Sequence, residues 1–142
     1  MRNLLVLILL GLVSVLDIDL CADTHIAVVS GMDSMVTAIT REEAEELYSG
    51  RTSALRDGTP VRLLDLPPGP VRDTFYETLI RKNPLQTRAH WSRMVFTGRA
   101  RPPQQLAGAA SVSAAVQADP NAIGYLPANL VPEGVRILLI LP

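Results

Sequence analysis

Short apolar runs alternate along this chain with segments of helical periodicity. Each run has the length and composition of a strand that is buried in a sheet. Helical patterns separate most of these runs, and such alternation favours an α/β fold with a mostly parallel central sheet flanked by helices. The four runs are THIAVVS (24–30), VRLLDL (61–66), AIGYL (122–126) and VRILLIL (135–141).

Start and stop signals define the helices between the runs. Thr40 and Glu43 have the spacing of a capping box, in which each side chain bonds the backbone of the other residue. Gly50 follows the apolar side of that helix and is suited to end it. Three further helices are predicted, and they begin near Val71, at Pro84 and at Val112.

The segment HWSRMVFTGRARPP (90–103) joins the only tryptophan of the chain to an arginine-rich loop. Trp91 and Val95 lie four residues apart, so a helix would turn both towards the core and leave Arg93 in solvent. Gly98 ends this helix. A nucleic-acid partner is not favoured, because the chain has one tryptophan and a net charge of −1 rather than a basic surplus.

An apolar run occupies residues 4–16, directly after the positive charge of Arg2. A membrane-spanning helix needs roughly 20 apolar residues, whereas a charged start with a short apolar middle is typical of an export signal. We therefore predict a signal peptide over residues 1–22, cleaved after Ala22, and a periplasmic or secreted domain over residues 23–142. Retention of the segment as a membrane anchor is the alternative.

Cys21 is the only cysteine of the sequence and precedes the predicted cleavage site. Acylation of this cysteine is disfavoured, because Asp19 and Leu20 stand where that processing needs a small residue. The predicted mature domain therefore contains no disulfide, thiolate metal site or cysteine nucleophile. It also keeps no stable membrane span once the signal is removed.

Charge is unevenly distributed along the chain. Residues 41–46, REEAEE, are acidic on balance, whereas six basic residues and no Asp or Glu lie between Arg81 and Arg101. An anion-attracting face and a solvated basic helix face are both consistent with this pattern.

Sequence motifs for enzymatic chemistry are missing. The chain has no phosphate loop, dinucleotide fingerprint or zinc-protease pattern, and no serine lies in a nucleophile elbow. The two histidines, His25 and His90, have no partner at metal-ligand spacing. We therefore predict no catalytic residues, no metal and no cofactor, and an enzyme is the least favoured class.

Three residues are candidate anion-binding groups. The loop over residues 65–75 leaves a strand and opens a helix, whose N-terminus attracts anions through free amides and its dipole. Arg72 can donate two hydrogen bonds to an oxyanion, and Asp65 can accept one from its protonated form. Ser34 follows the first strand, where α/β folds often place ligand groups. Alternatively, these side chains only bond local turns and neighbours, and Pro70 supplies no amide donor.

Four segments in a fixed order resemble one protein family: ITREEAEELYSGR, GTPVRLLDLPPGPVRDTFYETLI, HWSRMVFTGRARPP and NAIGYLP. Together they are similar to phosphate ABC transporter substrate-binding-like proteins, small members of the type 2 periplasmic-binding (PBP-like) superfamily. The resemblance spans most of residues 24–140. It implies an exported α/β lobe and, in the larger relatives, capture of phosphate or a similar oxyanion for an ABC importer. Ser34, Asp65 and Arg72 fall where the relatives bring their ligand groups together.

Two departures from the family pattern leave two functions open. PPGP (67–70) replaces the serine that relatives carry at the start of the helix after the Asp, and about 120 mature residues suffice for one lobe rather than two. The first function is weak binding of phosphate or another oxyanion, linked to a transporter or sensor. The second is a non-catalytic protein-interaction module that derives from such a lobe and takes no small-molecule ligand.

Overall fold

The computed structural model of the chain describes residues 25–142, which form a five-stranded sheet flanked by helices. The predicted signal peptide, residues 1–22, and its cleavage after Ala22 lie outside the described residues and stay predictions. No helix within the described part is long and apolar enough to cross a membrane.

The strands and helices predicted from the sequence are all present, within a few residues of their predicted ends. A two-residue strand over Gln104–Gln105 was not predicted, and a short 3₁₀ turn over Ala128–Leu130 follows the strand Ala122–Pro127. In chain order the elements are β1 (Ile26–Gly31), α1 (Arg41–Tyr48), β2 (Arg62–Asp65), α2 (Pro70–Ile80), α3 (Pro84–Phe96), β3 (Gln104–Gln105), α4 (Ala109–Ala118), β4 (Ala122–Pro127) and β5 (Val135–Leu141).

The sheet has the strand order β3-β2-β4-β1-β5. β2 runs parallel to β3 and β4, whereas β1 runs antiparallel to both of its neighbours, β4 and β5. Four of the five strands thus share one direction, and the single α/β lobe predicted from the sequence is confirmed. The sheet is nevertheless mixed, because β1 enters it in the opposite direction between two strands from the end of the chain.

Helices cover both faces of this sheet. α4 packs against the face to which Gly31 and Gly124 point, and a Cβ atom at Gly124 would lie only 2.6 Å from Val112 Cγ1. A Cβ atom at Gly31 would collide with the carbonyl oxygen of Val116. Glycine at both positions therefore allows α4 to lie close to the strands, while Tyr125 points to the opposite face, beneath α1 and α2.

The capping box of α1 forms as predicted. Thr40 Oγ1 accepts a hydrogen bond from the Glu43 amide at 3.1 Å, and Glu43 Oε2 accepts one from the Thr40 amide at 3.0 Å. Gly50 follows the end of the helix with a φ of 76°, a left-handed conformation that favours glycine.

Helix α3 buries a narrower face than predicted. Thr87 and Trp91 are buried and Met94 is half-buried, so the stripe against the body of the protein runs along one side of the helix. Arg93 is exposed as predicted. The prediction that Val95 faces the core is wrong, because this side chain lies beyond the stripe and is 54% exposed.

Candidate functional site

Asp65, the last residue of β2, accepts hydrogen bonds from four donors inside the protein. Its Oδ1 accepts from the Leu66 amide at 2.9 Å and, in a short bond, from the Tyr125 hydroxyl. Its Oδ2 accepts from Arg72 Nε at 3.0 Å and from the Tyr76 hydroxyl at 3.1 Å. Asp65 is only 3% exposed. Both carboxylate oxygens are therefore occupied, and the geometry does not favour the predicted role of Asp65 as an acceptor for a protonated oxyanion.

Local sequence and sheet register bring these side chains together. The PPGP turn leads from the end of β2 directly into α2, which begins with Pro70 in its first turn. Arg72 and Tyr76 lie four residues apart and therefore share one face of α2. Tyr125 comes from β4, which pairs with β2 in the sheet. The buried carboxylate thus connects α2 to two neighbouring strands.

Arg72 is held by Asp65 and still has donors to spare. Partial burial opposes its charge, but the Asp65 carboxylate and their shared hydrogen bond outweigh this effect and raise the pKa of Arg72. Its side chain is 19% exposed, and the guanidinium carbon lies 4.9 Å from the centre of the Tyr76 ring. Only Nε bonds another of the described residues, so both terminal nitrogens remain available to a ligand.

All three tyrosines of the chain lie buried beside this carboxylate. Burial raises the pKa of Tyr48, Tyr76 and Tyr125, and the negative charge of Asp65 raises each further. Phe75 stacks on Tyr125, with the two ring centres 3.7 Å apart and the planes nearly parallel. The site therefore has a packed aromatic support and neutral hydroxyl donors at ordinary pH.

A cleft of about 740 Å³ opens beside Arg72, between the start of α2, helix α3 and the segment that leads into β3. A second arginine, Arg88 of α3, lines the same cleft, and so does the carboxylate of Asp73. Apolar side chains complete much of the wall, among them Trp91, Val95, Phe96, Pro102 and Pro103.

The indole of Trp91 contributes a donor that is incompletely used. Its Nε1 is buried and makes no hydrogen bond of normal geometry within residues 25–142. It lies near enough to Tyr76 to lower the pKa of that hydroxyl slightly, against the larger effects of burial and of Asp65.

The structure does not bring Ser34 together with Asp65 and Arg72. Because β1 is antiparallel, the loop after it lies at the opposite end of the sheet from the end of β2. Ser34 Oγ accepts a hydrogen bond from the Val36 amide at 3.1 Å, and its carbonyl accepts one from Arg136 Nη1 at 3.1 Å. Ser34 therefore organises its own loop.

A larger open hollow of about 1450 Å³ adjoins the cleft beside Arg72 near the end of α3, and Val95, Pro102 and Pro103 line both. Two of its arginines are already paired, Arg51 with Glu45 at 2.9 Å and Arg62 with Asp119 at 3.2 Å. It contains none of the Asp65 hydrogen-bond partners described above. Across residues 25–142, no group of three or more His, Cys, Asp or Glu side chains is placed to hold a metal ion.

Solved structures with this fold are described as phosphate-transport or phosphate-binding proteins. One is a candidate phosphate ABC transporter substrate-binding protein with bound phosphate from Clostridium perfringens, with a TM-score of 0.62 and 20% identity over 81% of this chain. Another is an ABC-type phosphate transport receptor from Vibrio cholerae, with a TM-score of 0.61 and 14% identity over 82% of this chain. A third is a candidate phosphate-binding protein from Planctomyces limnophilus, with a TM-score of 0.57 and 12% identity.

These similarities establish the fold of the described domain. At such low identity they carry no more than the fold. The chain matches 45%, 49% and 40% of the length of the three solved proteins, so it spans less than half of each. No protein-family model matches the sequence, and no curated protein is similar to it.

Proposed function

We propose that this domain is a non-catalytic binding lobe that holds an oxyanion in the cleft beside Arg72. The proposal rests on how the guanidinium of Arg72 is held. Its guanidinium is fixed through Nε by the buried Asp65 carboxylate, while its terminal nitrogens have no partner among the described residues. A fixed guanidinium binds a carboxylate, phosphate or sulfate group with little further loss of side-chain freedom.

Two further features support an anionic ligand in this cleft. Arg88 supplies a second positive charge, and the first turn of α2 has no side chain that caps its free amides. The fold is shared with proteins described as phosphate-transport components. The cleft is open to water and also contains Asp73, so we propose weak rather than tight capture.

The proposed setting is an exported protein that works with a membrane transporter or sensor. Its basis is the predicted signal peptide over residues 1–22, together with the transport role in the descriptions of the proteins that share the fold. N-terminal sequencing of the exported chain tests the cleavage after Ala22. A mature chain that still begins at Met1 would contradict it.

Thermal unfolding in the presence of phosphate and sulfate tests the binding function. At ten times the Kd, a ligand of the folded state adds about 1.4 kcal/mol to the free energy of unfolding, which raises the Tm of a domain of this size by about 5 °C. Sodium chloride of equal ionic strength is the control. We expect Arg72→Ala to lose the response and Arg93→Ala, an exposed arginine outside the cleft, to keep it.

Two outcomes of this measurement would reject the proposal. One is the absence of any shift at tens of millimolar anion beyond that in chloride. The other is an unchanged anion response in Arg72→Ala, which would show that the anion binds at a site that does not include Arg72.

A protein-interaction module without a small ligand is the second candidate. It is favoured by three large apolar side chains that α3 leaves exposed, namely Leu85, Val95 and Phe96. In addition, the six basic residues between Arg81 and Arg101 form no ion pair with any residue of the described part. An anion titration without response would favour this candidate.

A further inference from the structure

We infer that the cleft takes an organic anion, with a phosphate or sulfonate head and an aromatic or alkyl body, rather than inorganic phosphate. This inference rests on the proposed function, because it assigns Arg72 to the head group. It adds the second half of the ligand, for which the cleft supplies an apolar wall.

The size of the cleft favours such a ligand. Its volume of about 740 Å³ lies within the range of roughly 300–1,000 Å³ that is usual for sites of drug-sized organic molecules. A lone tetrahedral anion fills a small part of this volume and leaves the remaining wall in contact with water.

The second half of α3, beyond Arg88, lines the cleft mainly with apolar side chains. Phe96 is 92% exposed and Val95 is 54% exposed, and both line the cleft together with Trp91. Apolar surface in a concavity that also holds two guanidinium groups is complementary to a molecule with one charged end and one apolar end.

Proline residues reduce the supply of backbone donors for inorganic phosphate. Pro67, Pro68 and Pro70 lie directly before or at the start of α2, and none of them has an amide proton. The donors that remain are the free amides in the first turn of α2, the terminal nitrogens of Arg72 and the guanidinium of Arg88. A head group whose fourth substituent is carbon or an ester oxygen demands fewer donors than free phosphate.

The depth of Arg72 favours a small molecule over a membrane surface. Its side chain is only 19% exposed, so a group that contacts its terminal nitrogens has to enter the cleft. Pro103, which also lines the cleft, is itself buried. A flat anionic bilayer would meet the rim at Phe96 but would not reach this depth.

Calorimetric titration with three probes tests the inference. The probes are inorganic phosphate, phenyl phosphate and the neutral benzyl alcohol. We expect phenyl phosphate to bind at least tenfold more tightly than inorganic phosphate, a difference of about 1.4 kcal/mol. Burial of roughly 55 Å² of apolar surface suffices for this difference. This area is smaller than one face of an aromatic side chain that lines the cleft.

Matched variants on α3 locate the apolar contact. Phe96→Ser removes an exposed side chain from the cleft wall, and we expect it to weaken phenyl phosphate about fivefold and leave inorganic phosphate unchanged. Leu85→Ser is the control, because Leu85 is similarly exposed on the same helix but does not line the cleft, and both affinities should persist.

The outcomes separate this inference from the proposed function. Equal affinities for the two phosphates, or a Phe96→Ser variant that binds phenyl phosphate as the parent does, would overturn the organic ligand and leave anion binding intact. Binding of neither phosphate would overturn the proposed function itself. Benzyl alcohol that binds as tightly as phenyl phosphate would overturn both, since no charge would then be recognised.

Discussion

Replacement of Asp65 by asparagine removes one negative charge and one acceptor from the centre of the site. The new side chain keeps a carbonyl oxygen, which can still accept from the Leu66 amide and the Tyr125 hydroxyl. Its amide nitrogen then faces Arg72 Nε, so that a donor meets a donor where a 3.0 Å charged hydrogen bond stood. The Tyr76 hydroxyl can rotate to accept from the new amide, so its bond persists.

The expected cost follows from the burial of the pair. A hydrogen bond to a charged group contributes about 1.5–3 kcal/mol, and removal of one partner from a buried ion pair costs about 3–5 kcal/mol. Arg72 is 19% exposed and regains some hydration, which places the expected loss for Asp65→Asn near 3 kcal/mol. For a domain of this size, that loss lowers the Tm by about 12 °C.

Urea unfolding, followed by the fluorescence of the single tryptophan, measures this loss. Glu77→Gln is the matched control, because Glu77 lies exposed on α2, the helix of Arg72, and forms no ion pair with the described residues. We expect this control to stay within about 0.5 kcal/mol of the parent.

A coupling measurement makes the reasoning refutable. Asp65→Asn, Arg72→Met and the double variant form a cycle in which we expect a coupling free energy of about 2 kcal/mol. If Asp65→Asn loses less than about 1 kcal/mol, or if the two substitutions are additive, the carboxylate does not hold Arg72 in place as described.

Three other perturbations address the core and the loop after β1. Burial raises the pKa of all three tyrosines above 10, so the folded chain keeps protons that the unfolded chain releases. The free energy of unfolding should therefore be at its full value below about pH 10 and be lower by about 4 kcal/mol at about pH 11. In an absorbance titration, tyrosinate should appear only as the chain unfolds, and its appearance in folded protein would contradict this. Gly31→Ala should cost about 1–3 kcal/mol in urea unfolding through collision with α4, whereas Gly108→Ala, which meets open space, should cost nothing comparable. Arg136→Ala removes hydrogen bonds to three carbonyls of residues 32–36 and should speed amide hydrogen exchange there, with Arg93→Ala as the unaffected control.

Local signals in the sequence were sufficient for the elements whose geometry is local. Thr40 and Glu43 satisfy each other within four residues, so the start of α1 needs no knowledge of the rest of the chain. No local sequence signal specifies the direction of β1 in the sheet. A central strand is buried on both faces whether its neighbours are parallel or antiparallel, and the placement of Ser34 at the far end of the sheet follows from that direction.

The candidate site was predictable only in part for the same reason. Asp65 and Arg72 belong to one loop and the helix that follows it. Tyr76 is four residues from Arg72, so the sequence spacing indicates that both side chains lie on the same face of α2. Tyr125 joins them only through the register of β2 against β4, which the sequence pattern does not specify. Val95 was misplaced because α3 contacts the body along one narrow stripe, a matter of tertiary packing.

The position of β1 has a consequence for how the chain reaches its final shape. Ile26 lies opposite Pro127 on one side and Leu141 on the other, so β1 cannot pair in the sheet until segments more than 100 residues further along are available. Assembly from the N-terminus onwards is therefore blocked, and the central ladder closes late and slowly, as contacts between distant residues do. A chain cut before Val135 would leave one edge of that strand open to any other extended segment it meets.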